Sequence, residues 1–171
     1  MRRVPWLCAL LLVLASGLFP GAAAQASPDG KNSVIIVSND PGGSVSARAK
    51  FIRDVKRSNT PVRITGWKCH SSCTMLAFLP QTCIDPNTVF GFHGPFINSR
   101  KMTEKEFEDW SRFMAQYYPP DFRRWFLQKA RYAKKYELLR VTGHELIRFG
   151  AKPCKENEKK VVSAQLRSTE K

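Results

Sequence analysis

The chain predicts an α/β domain in which β-α-β units are followed by a helical C-terminal part. Three observations predict it. An apolar, β-branched run at Ser33–Ser38 enters the turn Asn39-Asp40-Pro41-Gly42-Gly43 and then a stretch of helical periodicity. A second strand-like segment, Val62–Thr65, leads to Cys69-His70-Ser71-Ser72-Cys73. A third, Val89–Phe92, is followed at once by His93-Gly94-Pro95. This alternation favours a mainly parallel sheet with right-handed crossovers. Ligands of such sheets bind beyond the carboxyl ends of the strands, where all three motifs fall.

From the N-terminus, Arg2 and Arg3 precede an apolar run from Leu7 to Phe19. Small residues at Ala22-Ala23-Ala24-Gln25-Ala26 then offer cleavage after Ala24 or Ala26. Residues 1–26 therefore read as a secretory signal peptide, too short for a membrane span. Cys8 comes too early in the apolar run for a lipoprotein. Removing the leader leaves about 145 residues, enough for one domain with one core. That domain is read as residues 27–154, and residues 155–171 as a charged, frayed tail.

Within the domain, Val34–Val37 is apolar throughout and suits a strand covered on both faces. Ser44 is an N-cap for a helix carrying Val45, Ala49, Phe51, Ile52 and Val55. Asn59-Thr60-Pro61 ends that helix, and Gly66 ends the second strand. A helix is expected over Cys73–Leu79, stopped by Pro80. Thr103-Glu104-Lys105-Glu106 is a capping box opening a helix through Tyr118. Pro119-Pro120 breaks it, Asp121 to Tyr136 continues as helix, and Thr142 to Arg148 is a short last helix.

Four cysteines remain after the leader: Cys69, Cys73, Cys83 and Cys154. An even number in an exported chain favours two disulfides. If the segment after Ser72 is helical, a Cys69–Cys73 bond is awkward. The expected pairing is Cys69 or Cys73 with Cys83, and the other with Cys154. A metal site from Cys69, His70, Cys73 and Cys83 is the rival reading. Its spacing matches no common zinc module, and export favours oxidation, so no metal and no cofactor are expected.

The formal charge is +14, two fewer without Arg2 and Arg3. Such a balance favours anionic partners, for instance an envelope surface. The basic residues are scattered over helix faces and form no nucleic-acid motif, so no nucleic-acid partner is expected. The aromatic set Trp110, Phe113, Tyr117, Tyr118, Phe122, Trp125 and Phe126 reads equally as core or as an interface.

A Gly-Gly turn before a helix, a Ser before a second helix and a His at a strand end are the parts of a serine hydrolase. The first can supply an oxyanion donor, the second a nucleophile and the third a base. Read locally, Ser71 is a helix cap and His70 a surface neighbour. His144 reads as solvated or packed against its helix. The spacing of the set is what favours chemistry.

At these residues the chain resembles the proteolytic subunit of the Clp protease. Asn39-Asp40-Pro41-Gly42-Gly43-Ser44-Val45 is similar to that family's N-S-P-G-G-x-V turn. Cys69-His70-Ser71-Ser72-Cys73 resembles its A-A-S-M-G stretch, with Ser71 on the nucleophile. Pro86 to Pro95 resembles its P-x-x-x-x-x-I-H-Q-P segment, with His93 on the histidine. Thr142 to Gly150 resembles its late S-A-x-E-A-x-x-Y-G-L helix. The closer likeness is to small exported (periplasmic) members of the Clp/crotonase-like superfamily with C-x-S-x-C, over residues 33–154.

The resemblance implies a Clp/crotonase-like spiral of β-α-β units. It implies Ser71 as nucleophile, His93 as base, and the backbone N–H groups of Gly43 and Ser72 as the oxyanion hole. It implies a peptide or protein substrate and self-association into a homo-oligomer. The family's acid falls near Arg131 to Glu137, where no Asp occurs; Glu137 is the nearest candidate and Glu145 stands behind it. The expected function is an exported serine peptidase. The alternative is a non-catalytic relative that keeps the cleft for binding or assembly. Acyl-CoA chemistry is disfavoured, because coenzyme A is not expected outside the cytoplasm.

Overall fold

A computed structural model of the protein describes residues 33–155. The leader read in residues 1–26 and the tail beyond Lys155 lie outside the described residues. Among the described residues the domain is mixed α/β, with six strands in one curled sheet. Among the described residues no helix is long and apolar enough to cross a membrane.

Strand β1 (Ile35–Asp40) leads through the Gly-Gly turn into helix α1 (Val45–Ser58). Ser44 caps α1 by accepting a hydrogen bond from the Ala47 N–H, as its side chain and position predict. Ala49, Ile52 and Val55 are the buried face of α1. The helix stops at Asn59, which takes a left-handed conformation before Pro61.

Strand β2 (Val62–His70) is the organising element. It does not end at Gly66, as its sequence suggested, but bends there and continues to His70. Gly66 has φ +79, and a Cβ on it would lie 2.5 Å from the Asn39 Oδ1. Across the bend, Asn39 is itself left-handed and accepts a hydrogen bond from the Trp67 N–H at 2.8 Å. The β1–β2 register shifts at this point. On one side β2 pairs parallel with β1, through Val62–Thr65 and again, past the bend, at Cys69. On the other, Val62–Ile64 pair with β3 (Thr82–Ile84), and Lys68–His70 with β4 (Val89–Phe92), both parallel. The bend thus lets one strand serve two successive partners.

Strand β5 (Leu139–Thr142) joins β4 antiparallel, and the two-residue β6 (Lys152–Pro153) joins β3. Strands β3, β5 and β6 were not expected from the sequence. The expected helix at Cys73–Leu79 is a 3-10 helix instead, Ser71–Leu76. Helix α2 (Glu104–Ala115) opens with the predicted capping box of Thr103 and Glu106. The helix expected over Asp121 to Tyr136 is shorter: α3 (Pro120–Gln128), with a single 3-10 turn at Ala130–Tyr132 after it. Helix α4 (Gly143–Arg148) carries a second capping box, Thr142 with Glu145.

The core lies between the sheet and these helices. Tyr118, Phe122 and Phe126 are buried, and Phe122 stacks against Phe78, Phe92, Trp125 and Phe149. Three of the seven aromatic residues are thus core, Phe113, Tyr117 and Trp125 pack half-buried against it, and Trp110 is exposed.

The disulfides are Cys69–Cys73 and Cys83–Cys154, which corrects the expected pairing. The objection to Cys69–Cys73 assumed an α-helix after Ser72. Here the chain turns through Ser71 at φ +55 into a 3-10 helix, which brings the two Cα atoms to 5.4 Å. With all four cysteines paired, the Cys69, His70, Cys73 and Cys83 metal set is not formed. Two disulfides fit a chain that folds under oxidising conditions.

Candidate active site

The carboxyl ends of β1, β2 and β4 lie side by side, because Asp40 is in register with Cys69 and His70 with Gly91. Each end delivers one motif to a cleft of about 670 Å³. Gly42 and Gly43 come from β1, His70 and Ser71 from β2, and His93 and Gly94 from β4. Val45, Ile97, Met102, Trp110 and Met114 give the cleft an apolar wall, and Lys135 adds a cation.

Asp40 shapes the first turn. Its carboxylate accepts the Gly42 N–H at 2.7 Å through Oδ1 and holds Arg48 of α1 through Oδ2. Gly42 is left-handed, at φ +93, and fits against Ser71 with no room for a side chain. A Cβ there would stand 2.5 Å from Ser71 Cβ and 2.7 Å from the His70 carbonyl oxygen. Gly43 follows at φ +149 with open space around it. Its N–H has no acceptor among the described residues.

Ser71 sits on the sharp turn from β2 into the 3-10 helix, within the loop closed by Cys69–Cys73. The left-handed conformation costs a non-glycine residue roughly 1–2 kcal/mol, offset here by the flanking strand and disulfide. No side chain caps the 3-10 helix, and Ser72, next after Ser71, is buried behind the cleft wall. The Ser72 Oγ is buried and has no hydrogen-bond partner among the described residues.

His93 is 4 % exposed. Its Nδ1 lies 2.6 Å from the Gly94 carbonyl oxygen. A carbonyl only accepts, so Nδ1 carries the proton and Nε2 keeps its lone pair. Burial pushes the His93 pKa below its ordinary value; the Gly94 carbonyl opposes this and Lys135 reinforces it. His70 is also pushed down, first by burial, then by Lys68, Arg140 and His93. Both rings therefore favour the neutral form at pH 7. No hydrogen bond joins Ser71 Oγ to His93 among the described residues.

Glu137 does not take the place expected of a third member. It is exposed, and its carboxylate accepts from Lys134 at 3.3 Å. Its neighbours Tyr136 and Leu138 line the cleft, so the chain passes the site with Glu137 turned outward. Glu145 is committed to capping α4. The orienting partner of His93 is a backbone carbonyl, which local sequence does not reveal. Asp40, Thr74 and Lys135 are further residues of the site that sequence reasoning missed. Of these, Asp40 was the most accessible, since Asp two residues before a Gly is a common turn-former.

No protein-family model matches the chain, and no curated protein matches it.

Proposed function

We propose that this chain is an exported serine hydrolase of Clp/crotonase-like type, a peptidase acting through an acyl-enzyme on Ser71. The observation that carries the reading is the meeting of Gly43, Ser71 and His93 in one cleft at the ends of three parallel strands. Ser71 Oγ attacks the substrate carbonyl while His93 Nε2 takes its proton. The N–H groups of Gly43 and Ser72 receive the oxyanion, a donor of this kind being worth about 3 kcal/mol. The leaving amine takes the proton back from His93, and water then releases the acyl group by the reverse sequence. The apolar wall accommodates an uncharged side chain of a peptide or protein substrate. Periplasmic or secreted location, self-association and attraction to an anionic envelope surface belong to the same proposal.

The second reading is a binding or assembly module that keeps the cleft without turnover. The observation in its favour is that His93 has a carbonyl where a triad has a carboxylate. Labelling of the oxidised protein with a fluorophosphonate, located by mass spectrometry, separates the two. The expected result is modification at Ser71 that disappears in Ser71→Ala and His93→Ala. A folded protein that takes up no probe would establish the binding module instead.

A further inference from the structure

Thr74 lies on the 3-10 helix directly after the proposed nucleophile and is buried. Its Oγ1 is 2.7 Å from the Ser71 carbonyl oxygen and 2.8 Å from the hydroxyl of Tyr118. A carbonyl only accepts, so the single Thr74 hydroxyl proton goes to Ser71. Tyr118 must then donate to Thr74. The order is fixed: Tyr118 O–H to Thr74 Oγ1, and Thr74 O–H to the Ser71 carbonyl.

That carbonyl belongs to the same peptide group as the Ser72 N–H. The chain has no cis peptide among the described residues, and a trans peptide is planar with its C=O and N–H opposed. Whatever holds the Ser71 oxygen toward the core therefore aims the Ser72 hydrogen away from it. A bond from a Thr hydroxyl back to the carbonyl three residues earlier is common in helices and by itself unremarkable. The difference lies in Tyr118, which arrives from 44 residues away, after α2, and is itself wedged among Phe78, Phe92, Phe122 and Phe126. The aromatic core thus reaches the Ser71–Ser72 peptide through two hydroxyls.

We infer that Thr74 and Tyr118 are positioning residues for the hydrolase, setting the Ser71–Ser72 peptide plane so that the Ser72 N–H serves as an oxyanion donor. This rests on the proposed role of Ser71. It acts on the tetrahedral, oxyanion-bearing stage rather than on binding of the ground state.

The test is the saturation kinetics of fluorophosphonate labelling at Ser71, giving a maximal rate and a half-saturating concentration for each variant. Loss of an oxyanion donor typically lowers rates by roughly 10²–10³-fold, and a misaimed one by part of that. Thr74→Val should lower the maximal rate at least ~10-fold with the half-saturating concentration unchanged, while Thr74→Ser, which keeps the hydroxyl, stays near wild type. Tyr118→Phe removes one oxygen from a ring that otherwise packs as before, and should slow labelling by a smaller factor. It serves as the second variant should Thr74→Val fail to fold. Labelling of Tyr118→Phe and any folded Thr74→Val at the wild-type rate would overturn the positioning role and leave the hydrolase standing. Absence of labelling in the folded wild-type protein would overturn both.

Discussion

His93 has no carboxylate beside it among the described residues, so burial and Lys135 decide its charge, with the Gly94 carbonyl as the one opposing influence. In the proposed mechanism His93 acts only when unprotonated. Because its pKa lies below the ordinary value of about 6.5, the labelling rate should rise with pH along an acid limb below 6.5 and be level at neutrality. Lys135→Ala removes a nearby positive charge, makes protonation easier and should move that limb to higher pH. The rate measured from pH 4 to 8 in both proteins checks this. A limb that stays in place would assign it to another group, with His70 as the nearest candidate. Ser71 shows why local sequence understates such a residue. The preference of Ser for helix starts was legible, but the left-handed turn depends on a disulfide and on Gly42 pressing from another strand.

The turn between β1 and α1 and the bend in β2 together bring the site to one place. Gly42→Ala places a methyl group against Ser71 and the His70 carbonyl in a backbone region that disfavours it. The expected cost is about 1–3 kcal/mol of stability, and labelling at Ser71 should be lost or nearly so. A denaturant midpoint and a labelling rate measured together check this; wild-type values for both would mean the turn relaxes freely. The strands β1, β2 and β4 were legible because they are β-branched or aromatic and bounded by turn residues. Ser44 and the Thr103–Glu106 box were legible because capping is a local hydrogen-bond problem with few solutions. Strands β3, β5 and β6 are two to four residues long and owe their conformation to β2, β4 and β3 beside them. No periodicity can emerge over so few residues. The continuation of β2 past Gly66 was hidden for the same reason: the left-handed Gly is matched by Asn39 of a different strand. Glu137 is turned away from a cleft that its neighbours line, since chain position near a cleft says nothing about which way a side chain turns.

Taken across the domain, the two disulfides divide their labour by the length of chain they close. Cys83–Cys154 joins residues 71 apart and fixes the end of the domain against the sheet edge, where β6 pairs with β3 and the Cys154 N–H donates to the Ile84 carbonyl. Cys69–Cys73 spans only four residues and encloses Ser71. In the chain-entropy model the long loop contributes about 4 kcal/mol to stability and the short one about 2 kcal/mol. Replacing Cys83 and Cys154 together by Ala should therefore lower the denaturant midpoint markedly more than replacing Cys69 and Cys73. Reactivity should follow the opposite order. The short disulfide braces the turn that carries Ser71, whereas the long one touches no wall of the cleft. The paired variant at Cys69 and Cys73 should lose most labelling at Ser71 while still unfolding cooperatively. The variant at Cys83 and Cys154, assayed well below its midpoint, should keep it. Midpoints and labelling rates from the same preparations decide the matter. If both quantities fell together in both variants, the short disulfide would have no role of its own at Ser71. The bracing of the turn would then rest on β2, Gly42 and Thr74 alone.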